Sequence, residues 1–461
     1  MEETPVVIVG GGISGLAAAY FLGKSGIRST IVEKAGRLGG LIGTDRIEDC
    51  VLEAGPDSYL GSKTAATELA RELGVLERDI VGSHDAERRV YIVRRGRLVP
   101  LPRGMAMMTP GKWRPALASP LFSRKTKLRF LREILTPPRT RVEDVSVRDF
   151  IVDHFGKEVV DYIAEPLLAG VYGGAAEALS AASVLPRFVA YEREYGSLIR
   201  GVRQERRKAR AGGSMFLSFR NGMQQLPDAL AHAAAPFART VYAEAETLTK
   251  DRSGWRIQAQ NHCLDARELV LACPAHVSAR LLPAAAPELA SELAAIPYSS
   301  AILVTLVYRN EQIRHPLQGF GFLVPRAERK TAAAATWIHR KFPFRIPSGL
   351  AALRAFIVDP EASRLSANSH DSVIQLVRTD FKQLLGIEAE ALFSTVHSWP
   401  ASMPQYVVGH EARRRKIMEL AEAAPGLSLT GNFLGGVGIP DCIQLARQTA
   451  SKIVTRLPSI R

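Results

Sequence analysis

A run of β-branched residues, Val6 to Val9, leads directly into Gly10, Gly11, Gly12, Ile13, Ser14 and Gly15. An Ala-rich segment then carries the chain to a second apolar run, Ser29 to Val32, closed by Glu33. Strand, glycine turn, helix and strand in that order make a βαβ unit with parallel strands and a right-handed crossover. The GxGxxG spacing of Gly10, Gly12 and Gly15 permits a tight turn and lets backbone N–H groups at a helix N-terminus approach a pyrophosphate. Glu33 stands 18 residues beyond Gly15, where a carboxylate ending the second strand meets ribose hydroxyls. The stretch predicts an α/β chain that binds a dinucleotide.

The next residues narrow the class. Lys34, Arg37, Gly39, Gly40 and Leu41, in EKAGRLGGL, resemble the second phosphate and flavin contact of the FAD-dependent amine oxidase and desaturase superfamily. A basic surface turn is the plainer alternative, since paired glycines after a strand are ordinary turn chemistry. At the far end, GNFLGGVGIPDCI crowds Gly431, Gly435, Gly436 and Gly438 ahead of a predicted helix. In that superfamily the flavin domain is assembled from distant segments. The resemblance therefore implies that Val437, Gly438 and Ile439 lie against the isoalloxazine, with the dipole of a helix starting near Asp441 favouring the negative charge of a reduced flavin. Ile443, Leu445, Ile453 and Val454 supply that helix with an apolar face. A plain glycine turn is the competing reading.

With 461 residues the chain has material for two or three domains. Its net charge of +14 fits nucleic acid, an anionic membrane or an acidic small molecule. The distribution is more informative, because ten Lys and Arg residues between Arg103 and Arg141 face Glu133 as the only acid. Interleaved Met107, Leu121, Phe122, Leu128, Phe130, Leu131 and Ile134 make this band either an interfacial helical region on anionic lipid or a solvated helical face over an ordinary core. Nucleic-acid binding is not expected, as the basic residues form no recognised module. GSLIRGVRQERRKARAGG, from Gly196, reads as a solvated basic helix ending at glycines. The four cysteines have neither CxxC nor zinc-type spacing, so no metal and no disulfide framework are expected, and a reducing compartment fits. No cleavable leader or membrane-spanning run is expected, which places the chain in the cytoplasm or peripherally on the inner face of the cell membrane.

Beyond Glu53 the resemblance tightens to one family. LEAGPDSYL, RRVYIVRRGRLVPLP from Arg88, EPLLAGVYGGAAEALS from Glu165, YGSLIRG from Tyr195, FLSFRNGMQQLPDAL from Phe216, GFGFLVP from Gly319, WPASMPQY from Trp399 and GVGIPDCI from Gly436 are similar to blocks of the oxygen-dependent protoporphyrinogen oxidases, including their coproporphyrinogen-oxidising bacterial relatives. Two stretches depart: GVYGGA stands where GVYAGD is expected, and Thr331 to Arg345 is less family-like.

The resemblance implies FAD as cofactor, with Gly55, Pro56, Asp57, Ser58, Ala245 and Trp399 as further contacts. It also implies a porphyrinogen substrate and molecular oxygen as acceptor. Six electrons leave protoporphyrinogen IX in three flavin reductions, giving three hydrogen peroxides; coproporphyrinogen III is the alternative substrate. The redox work falls to flavin N5 and no protein residue is nominated as catalytic. Arg89 matches the arginine that holds a substrate carboxylate, which a planar two-pronged donor suits; a surface arginine on a strand edge is the alternative. Gly170 would let the macrocycle approach the backbone. Phe320, Phe322 and Leu323 either sandwich it or fill core.

The expected fold is α/β (α+β). It has a Rossmann-like FAD domain from residues 1–75, 212–280 and 395–461, a mixed-sheet substrate domain from 76–100 and 281–394, and a helical domain, 101–211. Neighbouring haem-pathway enzymes are conceivable partners. Rival functions are an amine oxidase, a carotenoid desaturase, and a flavin-stabilised porphyrin-binding protein without turnover. The blocks around Arg89, Tyr195 and Phe320 argue against the first two.

Overall fold

Val6, Val7 and Ile8 have no exposed surface, the mark of a strand covered on both faces by helices. In the computed structural model, which describes residues 2–208, 213–252 and 254–457, the strand they belong to spans Glu2–Val9. It lies in a seven-stranded sheet ordered Ala238–Tyr242, Ser29–Glu33, Glu2–Val9, His262–Leu271, Trp255–Ala259 and Ala245–Lys250, with Leu427–Leu429 also paired to His262–Leu271. Glu2–Val9 runs parallel to both neighbours, and the last two strands of that order form an antiparallel meander.

The glycine turn feeds helix Ile13–Lys24. Its Ala17, Ala18 and Ala19 are fully buried, and their small side chains let Leu226 and Leu230 of helix Gln225–Ala234 and Ile443, Ala446 and Ile453 of helix Ile439–Arg456 join one core with Leu16 and Leu22. The C-terminal helix thus starts two residues before Asp441. Ile443 and Ile453 are buried as expected, while Leu445 and Val454 sit at the margin.

The chain divides into two compact units, Met1–Ser83, Met215–Pro297 and Ala412–Arg461 against His84–Ser214 and Tyr298–Glu411. The sheet just described belongs to the first. The second holds another seven-stranded sheet, ordered Phe393–Pro404, Tyr298–Arg309, Leu350–Val358, Ala334–Trp337, Gly321–Leu323, Val90–Arg94 and Arg97–Pro100. Its one parallel pair joins Gly321–Leu323 to Val90–Arg94. One face is covered by helix His370–Leu385, whose Val373, Val377 and Phe381 pack with Ile302, Val304, Leu353 and Phe322.

The described part of segment 101–211, residues 101–208, lies in the same unit, around a core of Phe122, Phe130, Phe150, Phe155, Ile163 and Ile199. Helix Leu198–Lys208 begins with Leu198, Ile199 and Val202 in that core and leaves Arg206 and Arg207 exposed. It is amphipathic rather than solvated all round, and its expected glycine end lies partly outside the described residues. Among the described residues no helix is long and apolar enough to cross a membrane.

Candidate cofactor and substrate sites

Each glycine of the N-terminal turn has its own reason. Gly10 has φ +108° and a side chain there would sit 2.9 Å from the Ala272 carbonyl carbon, so strand and turn could not approach. A Cβ on Gly15 would fall 1.9 Å from the Gly10 oxygen. Gly12 differs, because its Cβ would meet nothing nearer than Gly40 Cα at 3.8 Å. The protein does not fill that side. Gly12 is also the N-cap of helix Ile13–Lys24, without a side-chain cap, and the first helical bond runs from Leu16 N–H to Gly12 O at 2.9 Å. The N–H groups of Ile13, Ser14 and Gly15 precede that bond and have no acceptor within the helix. An uncapped helix start beside an open glycine fits a dinucleotide pyrophosphate.

Glu33 closes the cradle. Its Oε2 accepts from Gly11 N–H at 2.6 Å and its Oε1 from Ala35 N–H at 2.7 Å, which fixes the carboxylate at the strand end with lone pairs left for ribose hydroxyls. Gly39 N–H donates to Gly11 O at 2.9 Å, so the next turn is laid beside the glycine loop. Arg37 donates to Ile42 O at 2.9 Å and Gly40 O at 2.7 Å, knotting residues 37–42 together. Lys34 and Leu41 are exposed on this turn. Gly55 is forced by Leu41, whose oxygen a Cβ would meet at 1.8 Å. Pro56, Asp57 and Ser58 follow half-buried, with Ser58 Oγ donating to Asp57 Oδ1 at 2.6 Å. Ala245 is buried at the start of its strand, beside a register shift.

The C-terminal glycines lead into the last helix, whose first turn meets the first helix at Ser14. Val437 and Gly438 are half-buried and Ile439 is buried, opening the last helix. Gly436, at φ +115°, is packed on Asp441, 2.6 Å from where its Cβ would be. Asp441 accepts from Gly438 N–H at 3.3 Å and pairs with Lys63 at 2.6 Å. One residue on, Cys442 is hydrogen-bonded to the Ser14 hydroxyl, and burial pushes its thiol up to about 11, so it is an inert thiol linking the starts of two helices. Lys63 and the Ser14–Cys442 contact carry no sequence signal.

The expected substrate residues and Trp399 lie in the second unit. Arg89 is half-buried, just ahead of strand Val90–Arg94; its carbonyl accepts from Phe320 N–H at 2.7 Å and its Nη1 reaches Gln318 Oε1 only at 3.4 Å. Gly319, at φ +90°, lies against it, 2.3 Å from the Arg89 oxygen to a would-be Cβ. Gly170 is exposed on helix Glu165–Tyr172 with open space where a side chain would be. Phe320 is buried at 6% exposure and Leu323 half-buried against the helical core. Phe322, at 1% exposure, is interior packing against the His370–Leu385 face and presents nothing to a ligand. Trp399 is half-buried on strand Phe393–Pro404, opposite Ala301.

The sequence model of the flavin containing amine oxidoreductase family matches residues 13–454. The chain belongs to that family. Its curated relatives include the coproporphyrinogen III oxidase of Bacillus subtilis, 32% identical with 98% of each chain covered, and the protoporphyrinogen oxidase of Bos taurus, 30% identical with 98% of this chain and 99% of the relative covered. Among solved structures, a protein of Exiguobacterium sp. 255-15 provisionally assigned as a protoporphyrinogen oxidase superimposes with TM-score 0.88 at 28% identity, over 99% of each chain. The chain is a flavin-dependent oxidoreductase of the porphyrinogen oxidase branch, and its cofactor is FAD.

Proposed function

We propose that the protein oxidises a porphyrinogen to the porphyrin at the expense of molecular oxygen, in haem biosynthesis. What carries the reading is the combination of the open, uncapped Gly12 helix start, ready for FAD, with relatives named for that chemistry over their whole length. Bound FAD supplies a two-electron acceptor that oxygen regenerates. The chain's own part is to hold and orient. Gly12 and the Ile439 helix start receive the cofactor, and Arg89 holds a propionate. Phe320, Leu323 and Gly170 border the macrocycle. Protoporphyrinogen IX and coproporphyrinogen III undergo the same six-electron change, and the more numerous propionates of the second suit a chain this basic. Anaerobic mixing with each porphyrinogen tests the reading: bleaching of the flavin absorption supports it, and unchanged absorption with both leaves a porphyrin binder.

A second reading concerns location. In helix Arg124–Glu133 and the turn after it, Leu128, Leu131 and Leu135 are 47%, 46% and 80% exposed, with Arg124, Lys125 and Arg132 exposed beside them. A leucine stripe edged with cations suits an anionic membrane surface, and supports peripheral attachment on the cytoplasmic side.

A further inference from the structure

The second unit contains a cavity of about 360 Å³, lined among others by Glu165, Ser299, Arg326, Arg329, Asp359 and Gln405. Its two acids are already satisfied. Glu165 accepts from Arg329 Nη2 at 3.0 Å and from Arg326 N–H at 3.2 Å. Asp359 accepts from Ser300 N–H at 2.6 Å, Ser363 N–H at 2.9 Å and the Ser363 hydroxyl at 2.6 Å. The arginines keep donors to spare. The Arg329 side chain, 6% exposed, gives Nη2 to Glu165 and, at 3.4 Å, to Val324 O, while its Nε is buried without an acceptor, and a buried donor left without a partner requires an explanation. Arg326 is exposed at the cavity, and among the described residues its guanidinium has no ion-pair partner. The unused hydrogen-bonding capacity of the cavity is therefore cationic, from two arginines three residues apart, the backbone of Arg326 and the side chain of Arg329 both held by Glu165.

Its position is informative too. Glu165 and Ala169, which line the cavity, share a helix with Gly170, and Gly173 of the lining is that helix's left-handed cap. Arg326 lies three residues past Leu323, at the end of the strand that Phe320 enters. The cavity thus adjoins the same helix and strand that carry the proposed macrocycle contacts.

We propose that Arg326 and Arg329 form a second carboxylate subsite, separate from Arg89, and that it takes a propionate of a four-propionate porphyrinogen; the assignment to substrate rests on the porphyrinogen reading above. A substrate with two propionates can be anchored at Arg89 alone. One with four requires further cationic partners, since guanidinium–carboxylate pairs are what recognise such groups.

The test compares wild type with Arg326→Gln, whose exposed side chain is not needed for folding, and with Glu165→Gln, which keeps the shape of the Arg329 partner. Arg326→Gln is expected to raise KM for coproporphyrinogen III about tenfold, as for one lost charge-assisted contact, with kcat kept and KM for protoporphyrinogen IX within about twofold. Glu165→Gln is expected to move the same KM in the same sense, by loosening Arg329. Equal effects on the two substrates, or none on either, overturn the substrate assignment. A free carboxylate is the other source of this ligand. If propionate raises the melting temperature of wild type and not of Arg326→Gln while both KM values stay put, the subsite stands and its assignment to substrate falls. If wild type oxidises neither porphyrinogen, the proposed function fails by itself, and the subsite is then judged by the same melting shift with propionate and coproporphyrin III: a shift lost in Arg326→Gln supports it, and no shift in wild type overturns it.

Discussion

Gly11 N–H donates to Glu33 Oε2 at 2.6 Å across 22 residues of sequence, so the residue proposed to bind the ribose also holds the glycine turn against the second strand. Two functions meet in one carboxylate. Glu33→Gln keeps the size and loses the charge, and a charge-assisted hydrogen bond contributes roughly 1.5–3 kcal/mol. FAD affinity is expected to fall about 10- to 150-fold, read as flavin released on dilution, with the apoprotein folded by circular dichroism.

Gly12 and Gly15 separate the glycine proposed to serve the ligand from one that the fold requires. A methyl on Gly12 meets nothing within 3.4 Å of its Cβ position, whereas one on Gly15 lands 1.9 Å from a backbone oxygen. Gly12→Ala should leave apoprotein stability within about 0.5 kcal/mol and yield colourless protein. Gly15→Ala should unfold the first unit or lower its melting temperature severely. Equal effects on melting would show that the open side of Gly12 is not the cofactor's.

These predictions rest on the part of the molecule that was legible in sequence. Gly10 to Glu33 could be read because the glycine spacing and the terminal acid fall within one βαβ unit, where period and spacing are local, although Gly10 also packs on the distant Ala272. Lys63 and Asp441 are 378 residues apart, and Arg329 and Glu165 are 164 apart; such pairs carry no local pattern, so nothing singled them out. Phe322 was ambiguous for another reason. Alternation along a strand tells which residues share a face but not which face is covered, and here its side packs under helix His370–Leu385.

His154 lies between Glu133 Oε1 at 3.0 Å and Glu192 Oε1 at 3.2 Å, with Arg141 also bound to Glu192 and to Asp153. Burial disfavours the charged ring, but the hydrogen bonds to the two carboxylates outweigh it and raise the His154 pKa. A raised folded value means that this stabilisation is complete below the unfolded value of about 6.5 and is lost as pH climbs through the folded value. Glu192 works in the opposite sense. Burial opposes its ionisation, yet His154 and Arg141 bring it down to about 2, so its contribution is present above the ordinary carboxylate range and disappears in strong acid. Stability should fall by up to about 1.4 kcal/mol per pH unit above 6.5 until His154 is neutral, and His154→Gln should flatten that limb in urea titrations.

The Leu128–Leu135 stripe gives the membrane reading a sharper test than charge alone. Neutralising Arg124, Lys125 and Lys127 should weaken co-sedimentation with anionic vesicles by about 1 kcal/mol per residue. Leu131→Asp and Leu135→Asp should weaken it at high salt as well, where the charges are screened. Wild type that stays in the supernatant at low salt removes the proposal.

Arg89 is the proposed substrate contact that can be tested most cleanly, and its neighbours supply the comparison. Arg94 is no neutral control, because it donates to Pro120 O at 2.8 Å and pairs with Glu158 at 3.1 Å, bracing the helical region. Arg97 is exposed on the next strand, so Arg97→Ala should stay within about 0.5 kcal/mol of wild type. Arg89, whose side chain among the described residues makes just the long contact to Gln318 at 3.4 Å, can be removed with little cost to the fold. The propionate proposed for it is equally charged in ground and transition states, so Arg89→Ala should raise KM more than it lowers kcat. A loss of roughly 1.5–3 kcal/mol corresponds to about 10- to 150-fold in kcat/KM. Arg89→Lys should recover part of it, since a point charge cannot reproduce the two-pronged contact. Flavin content should not change in any of the three. Should Arg89→Ala behave like Arg97→Ala with both porphyrinogens, Arg89 is a strand-edge residue whose role is the backbone bond to Phe320, and the propionate must be held elsewhere.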